Sequence, residues 1–428
     1  MSDSDALHLG IDVGTSGVRG MAIDAVGAVT ASASAPLPAP VEVAGGLRQD
    51  PQLWWAAVTA VIRSVAATAG GNRIRSLAVD GTSGTLLLTD AHGMPLAPAG
   101  MYNDASAGHL AGRIAAAAPP ESGAHGATSP LARLLVLQDE HPEARHALHQ
   151  ADWIAARLTG RLGWSDENNA LKLGYDPVAR AWPPWLDTLG VRRDLLPQVV
   201  APGTPFGPLQ AELATSLGLE SGCMVVAGTT DGCASFLATG ANSIGDGVTV
   251  LGTTLTLKLL SDGPVFAPEH GVYSHRLGER WLVGGASNSG GKALRRFFSA
   301  ERMAELTPQL QPQKPTGLHW HPLPGRGERF PVADPTLEFT PEPRSADDVQ
   351  FFQALLEGIA EVEAQAYALL ARLGGPKLRS VRTVGGGAAN TAWTAIRQQL
   401  LQVPMLTPSS LEPAYGTALL ARQGATAA

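Results

Sequence analysis

In the stretch Leu7 to Asp24, LHLGIDVGTSGVRGMAID, one acid, Asp12, ends an apolar run that breaks at Gly14-Thr15-Ser16-Gly17 and then resumes. Glycines at a turn admit backbone geometry that side chains forbid, so the turn amides can close around an anion, and Thr15 and Ser16 add hydroxyl donors. That is the chemistry of a phosphate cradle. A carboxylate beside a bound phosphate repels it unless a cation stands between them, which makes Asp12 a candidate magnesium ligand. The same residues also suit an ordinary hairpin turn. A second copy favours the cradle: Asp246 to Leu260, DGVTVLGTTLTLKLL, repeats the plan with Gly252-Thr253-Thr254 at its turn.

Three further loops carry chemistry-bearing residues. Ile74 to Val79 reads as a buried strand that delivers Asp80-Gly81-Thr82-Ser83-Gly84-Thr85 at its end, and Tyr102-Asn103-Asp104 follows a short return. Loops at strand ends of α/β folds are common ligand positions, although a pair of polar turns would look the same. Met224 to Gly228 is a second buried strand ending at Thr229-Thr230-Asp231-Gly232, where Asp231 either caps the following helix or acts on a ligand. Val381 to Val384 runs into Gly385-Gly386-Gly387-Ala388-Ala389-Asn390, with Trp393 and Ile396 on the next helix. Successive glycines let a flat ligand approach the backbone closely. Gly284 to Lys292, GGASNSGGK, lacks the spacing of a Walker phosphate loop.

The elements that position these loops are strands and helices in alternation. The strand-turn-strand repeat predicts two related halves. Asp50-Pro51 starts an amphipathic helix over Leu53 to Ala67, and Asp347 to Leu373 is the longest helix, with Phe352, Leu355, Leu356, Ile359 and Val362 on one face. Leu110 to His149 is alanine-rich and helical in tendency, with prolines marking breaks. Ser165-Asp166-Glu167-Asn168-Asn169 reads as a polar loop, exposed or ligand-facing, and Trp182-Pro183-Pro184-Trp185 as a surface turn. His319 and His321, in the proline-rich tract Leu318 to Pro331, read as packing or surface residues. Leu411 to Arg422 is a final helix expected to return to the first domain.

With 428 residues and 44% hydrophobic content, the chain can bury two separate cores. Its net charge of −7 and the lack of a basic stripe argue against nucleic acid as a partner and favour small metabolites. Cys223 and Cys233 are too few for a disulfide framework and lack metal-ligand spacing. The acidic N-terminus enters a strand directly and no stretch approaches a membrane span, so the expectation is a cytoplasmic protein without membrane partners, a monomer or a homodimer.

On the two Gly-Thr hairpins, the Asp80 to Thr85 loop, Asn103-Asp104 and Asp231, the chain resembles the FGGY carbohydrate kinases, within the actin, sugar-kinase and chaperone ATPase superfamily. Asp-Gly-Thr-Ser-Gly-Thr followed by Tyr-Asn-Asp is most similar to the D-ribulose kinase group. Xylulose kinases typically carry Met-His-Gly and Trp-Asn-Asp-x-Arg, and Ser106 or Ala107 stands here where the arginine is expected. Arg133-Leu134-Leu135-Val136 likewise departs from the family's Lys-Leu-x-Trp.

The resemblance implies two duplicated ribonuclease-H-like α/β domains, residues 1–238 joined by 412–428 and residues 239–411, with the active-site cleft between them. It implies ATP and Mg2+ as cofactors. Ser83, Asn103 and Asp104 would hold the sugar, and Asp231 would be the base that activates its hydroxyl. Thr15, Ser16, Gly252, Thr253 and Thr254 would meet the phosphates. Gly385, Gly386, Gly387, Asn390 and Trp393 would border the adenosine, with Trp393 against the ring. The implied reaction is ATP-dependent phosphorylation of a ketopentose, D-ribulose before D-xylulose. A regulatory protein that kept the fold and lost transfer, or a chaperone-like ATPase, are the other classes; Asp231 argues against the first and the sugar-side loops against the second.

Overall fold

The computed structural model describes residues 5–427 and divides into two compact units, Met1–Ala238 with Glu412–Ala428, and Thr239–Leu411. In the first unit a six-stranded sheet runs in the order Pro205–Pro208, Met224–Val226, Ile74–Gly81, Leu7–Val13, Gly17–Ile23, Val29–Pro36. Leu7–Val13 is buried at every position, as a strand covered on both faces must be. One face takes the helix Pro51–Ala69, capped by Asp50, whose carboxylate accepts from Gln52 N at 2.9 Å. The other takes the helix Pro413–Ala427, and there Gly10 is obligatory: a Cβ would lie 2.0 Å from Ala414 O and 2.2 Å from Ala418 N.

The first hairpin closes at Val13↔Val18 and sets Asp12 opposite Arg19, while parallel pairing with Ile74–Gly81 sets Asp12 beside Asp80. A smaller sheet holds Val41–Val43, Gly46–Gln49, Ala99–Gly100, Leu86–Thr89 and His146–His149. The last strand corrects the helical reading of Leu110 to His149. Helices form at Ala111–Ala117 and Pro130–Glu140, but His146–His149 pairs with Leu86–Thr89, which buries Ala147 and Leu148.

The second unit repeats the plan. Asp246–Leu251 and Leu255–Ser261 form a hairpin closing at Leu251↔Leu255, and Ser380–Val384 lies parallel beside its first strand. The helix Asp348–Arg372 packs Phe352, Leu355, Leu356, Ile359 and Val362 into the core, capped by Asp347. Within that core Glu363 and Arg397 form a two-pronged ion pair, with contacts of 2.6 and 2.7 Å and both side chains fully buried. Thr249 donates to Glu363 and Arg397 donates to Thr383, so the pair links two strands and two helices.

Candidate active site

Three carboxylates gather at the C-terminal ends of the first unit's central strands. Asp12 is 3% exposed and has Arg19 at 3.5 Å. Asp80 is fully enclosed, lies opposite Asp12 in the strand register and accepts from Thr417 Oγ1 of the final helix. Burial, then the charge of Asp12, pushes the Asp80 carboxyl well above the ordinary carboxylate range. Asp231 opens the helix Asp231–Ala238 and takes its own next amide, Gly232 N, at 2.7 Å. A bridge between Gly81 and Thr230 brings that helix start to the end of the Asp80 strand, close enough for Asp231's charge to act on Asp80.

The turn beside these acids closes through Gly14 N to Gly17 O at 3.0 Å, leaving Thr15 half-buried and Ser16 exposed. Among the described residues no three His, Cys, Asp or Glu side chains form a metal-binding group. A single carboxylate such as Asp12 still suits Mg2+, which keeps most of its waters and takes one or two carboxylates plus phosphate oxygens. Asp12 would hold it, and the ion would neutralise phosphate charge.

Next to the acids stand the expected sugar-side loops. Ser83 Oγ is enclosed without a hydrogen-bond partner, a cost that a ligand hydroxyl would relieve. Thr82 Oγ1 meets Thr85 Oγ1 at 2.6 Å and donates to Gln150 Oε1 at 3.0 Å, and Thr85 Oγ1 accepts from Tyr102 N. Asn103 is exposed, but the Asp104 carboxylate is fully buried and pairs with Arg48 Nη1 and with Ser106 N at 2.9 Å. The Asp104 carboxylate is thus committed to protein partners in this structure. Sequence reasoning had no means of finding Arg48, since the arginine comes from the strand Gly46–Gln49 and not from the residues after Asp104.

Ser165 to Asn169 is buried throughout and not exposed, because Asp166 caps its own short helix, accepting from Asn168 N and Asn169 N, and Asn168 Nδ2 donates to Thr229 Oγ1 at 2.9 Å. The segment braces the turn that leads into Asp231.

In the second unit Gly252, Thr253, Gly386, Gly387, Asn390 and Trp393 line one cavity of about 670 Å³. Its hairpin turn closes through Gly252 N to Thr254 O at 3.1 Å, and a Cβ on Gly252 would meet nothing of the protein closer than 3.6 Å. Gly385, by contrast, has φ +87° and lies 2.7 Å, measured from a built Cβ, from Leu251 O. Asn390 caps the helix Thr391–Leu401 through Trp393 N at 2.9 Å and donates to Thr307 Oγ1 at 3.2 Å, so both ends of its amide are committed. Trp393, among the residues that line the cavity, is 4% exposed and donates Nε1 to Leu356 O at 3.0 Å.

Models of the FGGY family of carbohydrate kinases match the chain over residues 7–238 (N-terminal domain) and 247–424 (C-terminal domain). The chain belongs to the FGGY family of carbohydrate kinases: it is a phosphotransferase with an alcohol group as acceptor, built on the two-domain α/β fold of actin-like ATPases. It is 25% identical to a xylulose kinase of Escherichia coli (strain K12), over 97% of this chain and 90% of that one. An autoinducer-2 kinase of Enterobacter sp. (strain 638) is 28% identical over 71% of this chain and 62% of its own. The crystal structure of a xyloylose kinase from Brucella ovis superposes with a TM-score of 0.88 at 26% identity, over 99% of this chain and 91% of that chain.

Proposed function

We propose that this kinase phosphorylates the terminal hydroxyl of a ketopentose, D-ribulose in preference, with Mg-ATP as donor. The observation that carries the reading is the neighbourhood of Asp231: a partly exposed carboxylate at a strand end, beside Asp12 and Asp80 and bridged to the Ser83 loop. Asp231 accepts the hydroxyl proton as the bond to phosphorus forms. Thr15, Ser16, Thr253 and the turn amides hold phosphate oxygens, and Gly385 to Asn390 border the adenosine. Alignment and charge neutralisation are most of what phosphoryl transfer requires, which suits a site of glycines, hydroxyls and acids. Ser83 and Asn103 meet sugar hydroxyls, with Asp104 holding Asn103 in place.

D-Xylulose is the second reading, favoured by the names of the relatives. It differs from D-ribulose only in configuration at C3. ATP consumption across pentuloses, hexuloses and polyols decides between them: the expected result is highest kcat/KM for D-ribulose, and equal turnover of ribulose and glycerol sinks both.

A further inference from the structure

Between the Ser83 loop and the Asn103 loop lies a side chain that the reading above leaves without a role. Arg133, on the helix Pro130–Glu140, is 2% exposed. Its guanidinium donates Nη2 to Gly84 O, and Nη1 to Asp104 O at 2.7 Å and to Thr128 O at 3.0 Å. One planar group thus grips the residue after Ser83 and the residue after Asn103. A second arginine completes the arrangement: Arg48 pairs with the Asp104 carboxylate and reaches Ser106 Oγ at 3.4 Å. The two guanidinium groups approach each other over Gly100, where a Cβ would lie 2.9 Å from Arg133 Cδ and 3.3 Å from Arg48 Nη1.

Placing two cations together, one of them buried, is costly, and burial with the Arg48 charge pushes Arg133 down to about 10. Among the described residues no carboxylate is paired directly with Arg133; its partners are backbone carbonyls of the two loops and of Thr128. Arginine suits this task because its fixed planar fork holds several acceptors at a set spacing, which lysine cannot do.

We infer that Arg133, seconded by Arg48, is the positioning residue that sets the distance between Ser83 and Asn103, and with it the fit of the acceptor sugar. The inference rests on the proposal that those two residues hold the sugar. Arg133 touches neither the nucleotide loops nor Asp231, so its effect should fall on one substrate alone.

The test is steady-state kinetics of Arg133→Lys and of Arg48→Lys, the latter keeping a charge beside the buried Asp104 carboxylate so that the protein folds even if the buried change does not. Substrate is whichever sugar the wild-type enzyme turns over best, so a wrong choice of sugar shows in the wild-type panel and leaves this comparison intact. Losing one charged hydrogen bond between the loops is expected to raise the sugar KM on the order of 10- to 100-fold. The ATP KM should stay within about twofold. A sugar KM unchanged in both variants, or an ATP KM that rises in step with it, overturns the inference.

Discussion

Asp12 and Asp80 stand side by side on adjacent parallel strands, with Thr417 donating to Asp80 from the final helix. Burial, then the charge of Asp12, pushes the Asp80 carboxyl well above the ordinary carboxylate range and so favours its neutral form. Asp80→Asn supplies a neutral donor in the same place. It should therefore leave thermal stability little changed, whereas Asp12→Asn should raise the Mg2+ concentration needed for half-maximal activity. A large loss of stability in Asp80→Asn would show that its charged form is the one that matters.

Asp231→Asn keeps size and hydrogen bonding but removes the proton acceptor. General-base assistance contributes on the order of 10²–10⁴-fold, and kcat should fall by about that factor with the ATP KM unchanged. Near-wild-type turnover would reduce Asp231 to a helix terminus.

Gly252 has room for a side chain within the protein itself, so Gly252→Val should fold and yet lose nucleotide. Thr253→Ala removes one hydroxyl donor to a charged group, worth roughly 1.5–3 kcal/mol of binding. Calorimetric titration with Mg-ATP tests both, and unaltered affinity in the valine variant would remove the phosphates from this turn.

The Glu363–Arg397 pair lies wholly inside the second unit. Arg397→Met strands a buried carboxylate and should cost about 3–5 kcal/mol in urea unfolding. Replacing both partners by apolar residues should recover much of that loss.

His8 donates or accepts a 2.8 Å hydrogen bond with Ser76 inside the first unit, and burial, then the Arg422 charge, pushes it down to about 4 from 6.5. The unfolded chain binds this proton near pH 6.5 and the folded one only near 4, so the group's contribution to stability is lost as pH falls through that window. His8→Asn should show a smaller drop in Tm between pH 7 and pH 5 than the wild type.

Much of this site is legible in the chain because its parts are local. Asp12 and its turn, Gly252 to Thr254, and Asp231 at a strand end all announce themselves by a break in an apolar run. The carboxyl pair is different: Asp80 lies beside Asp12 only through strand register, and its raised pKa depends on burial that no short window reveals. The contacts of Arg48 and Arg133 are illegible for the same reason, since each acts on a loop far away in sequence, and Arg133 shows in the chain only as a departure from Lys-Leu-x-Trp. The anchoring of the Trp393 indole N–H to Leu356 O is likewise beyond a short window, since the two residues lie 37 apart in sequence.

The helix Pro413–Ala427 finishes what Leu7–Val13 begins, fitting its backbone against Gly10 and its Thr417 hydroxyl against Asp80. On the ribosome these partners emerge roughly 400 residues apart, a delay on the order of 20–80 s at ordinary rates of synthesis. Throughout that interval one face of the first sheet lies open and its pair of acids lacks the hydroxyl that holds them. The N-terminal unit, made first, is thus among the last parts of the molecule to be completed, and a chain that stops a few residues before Pro413 exposes an apolar sheet to aggregation or to chaperone capture.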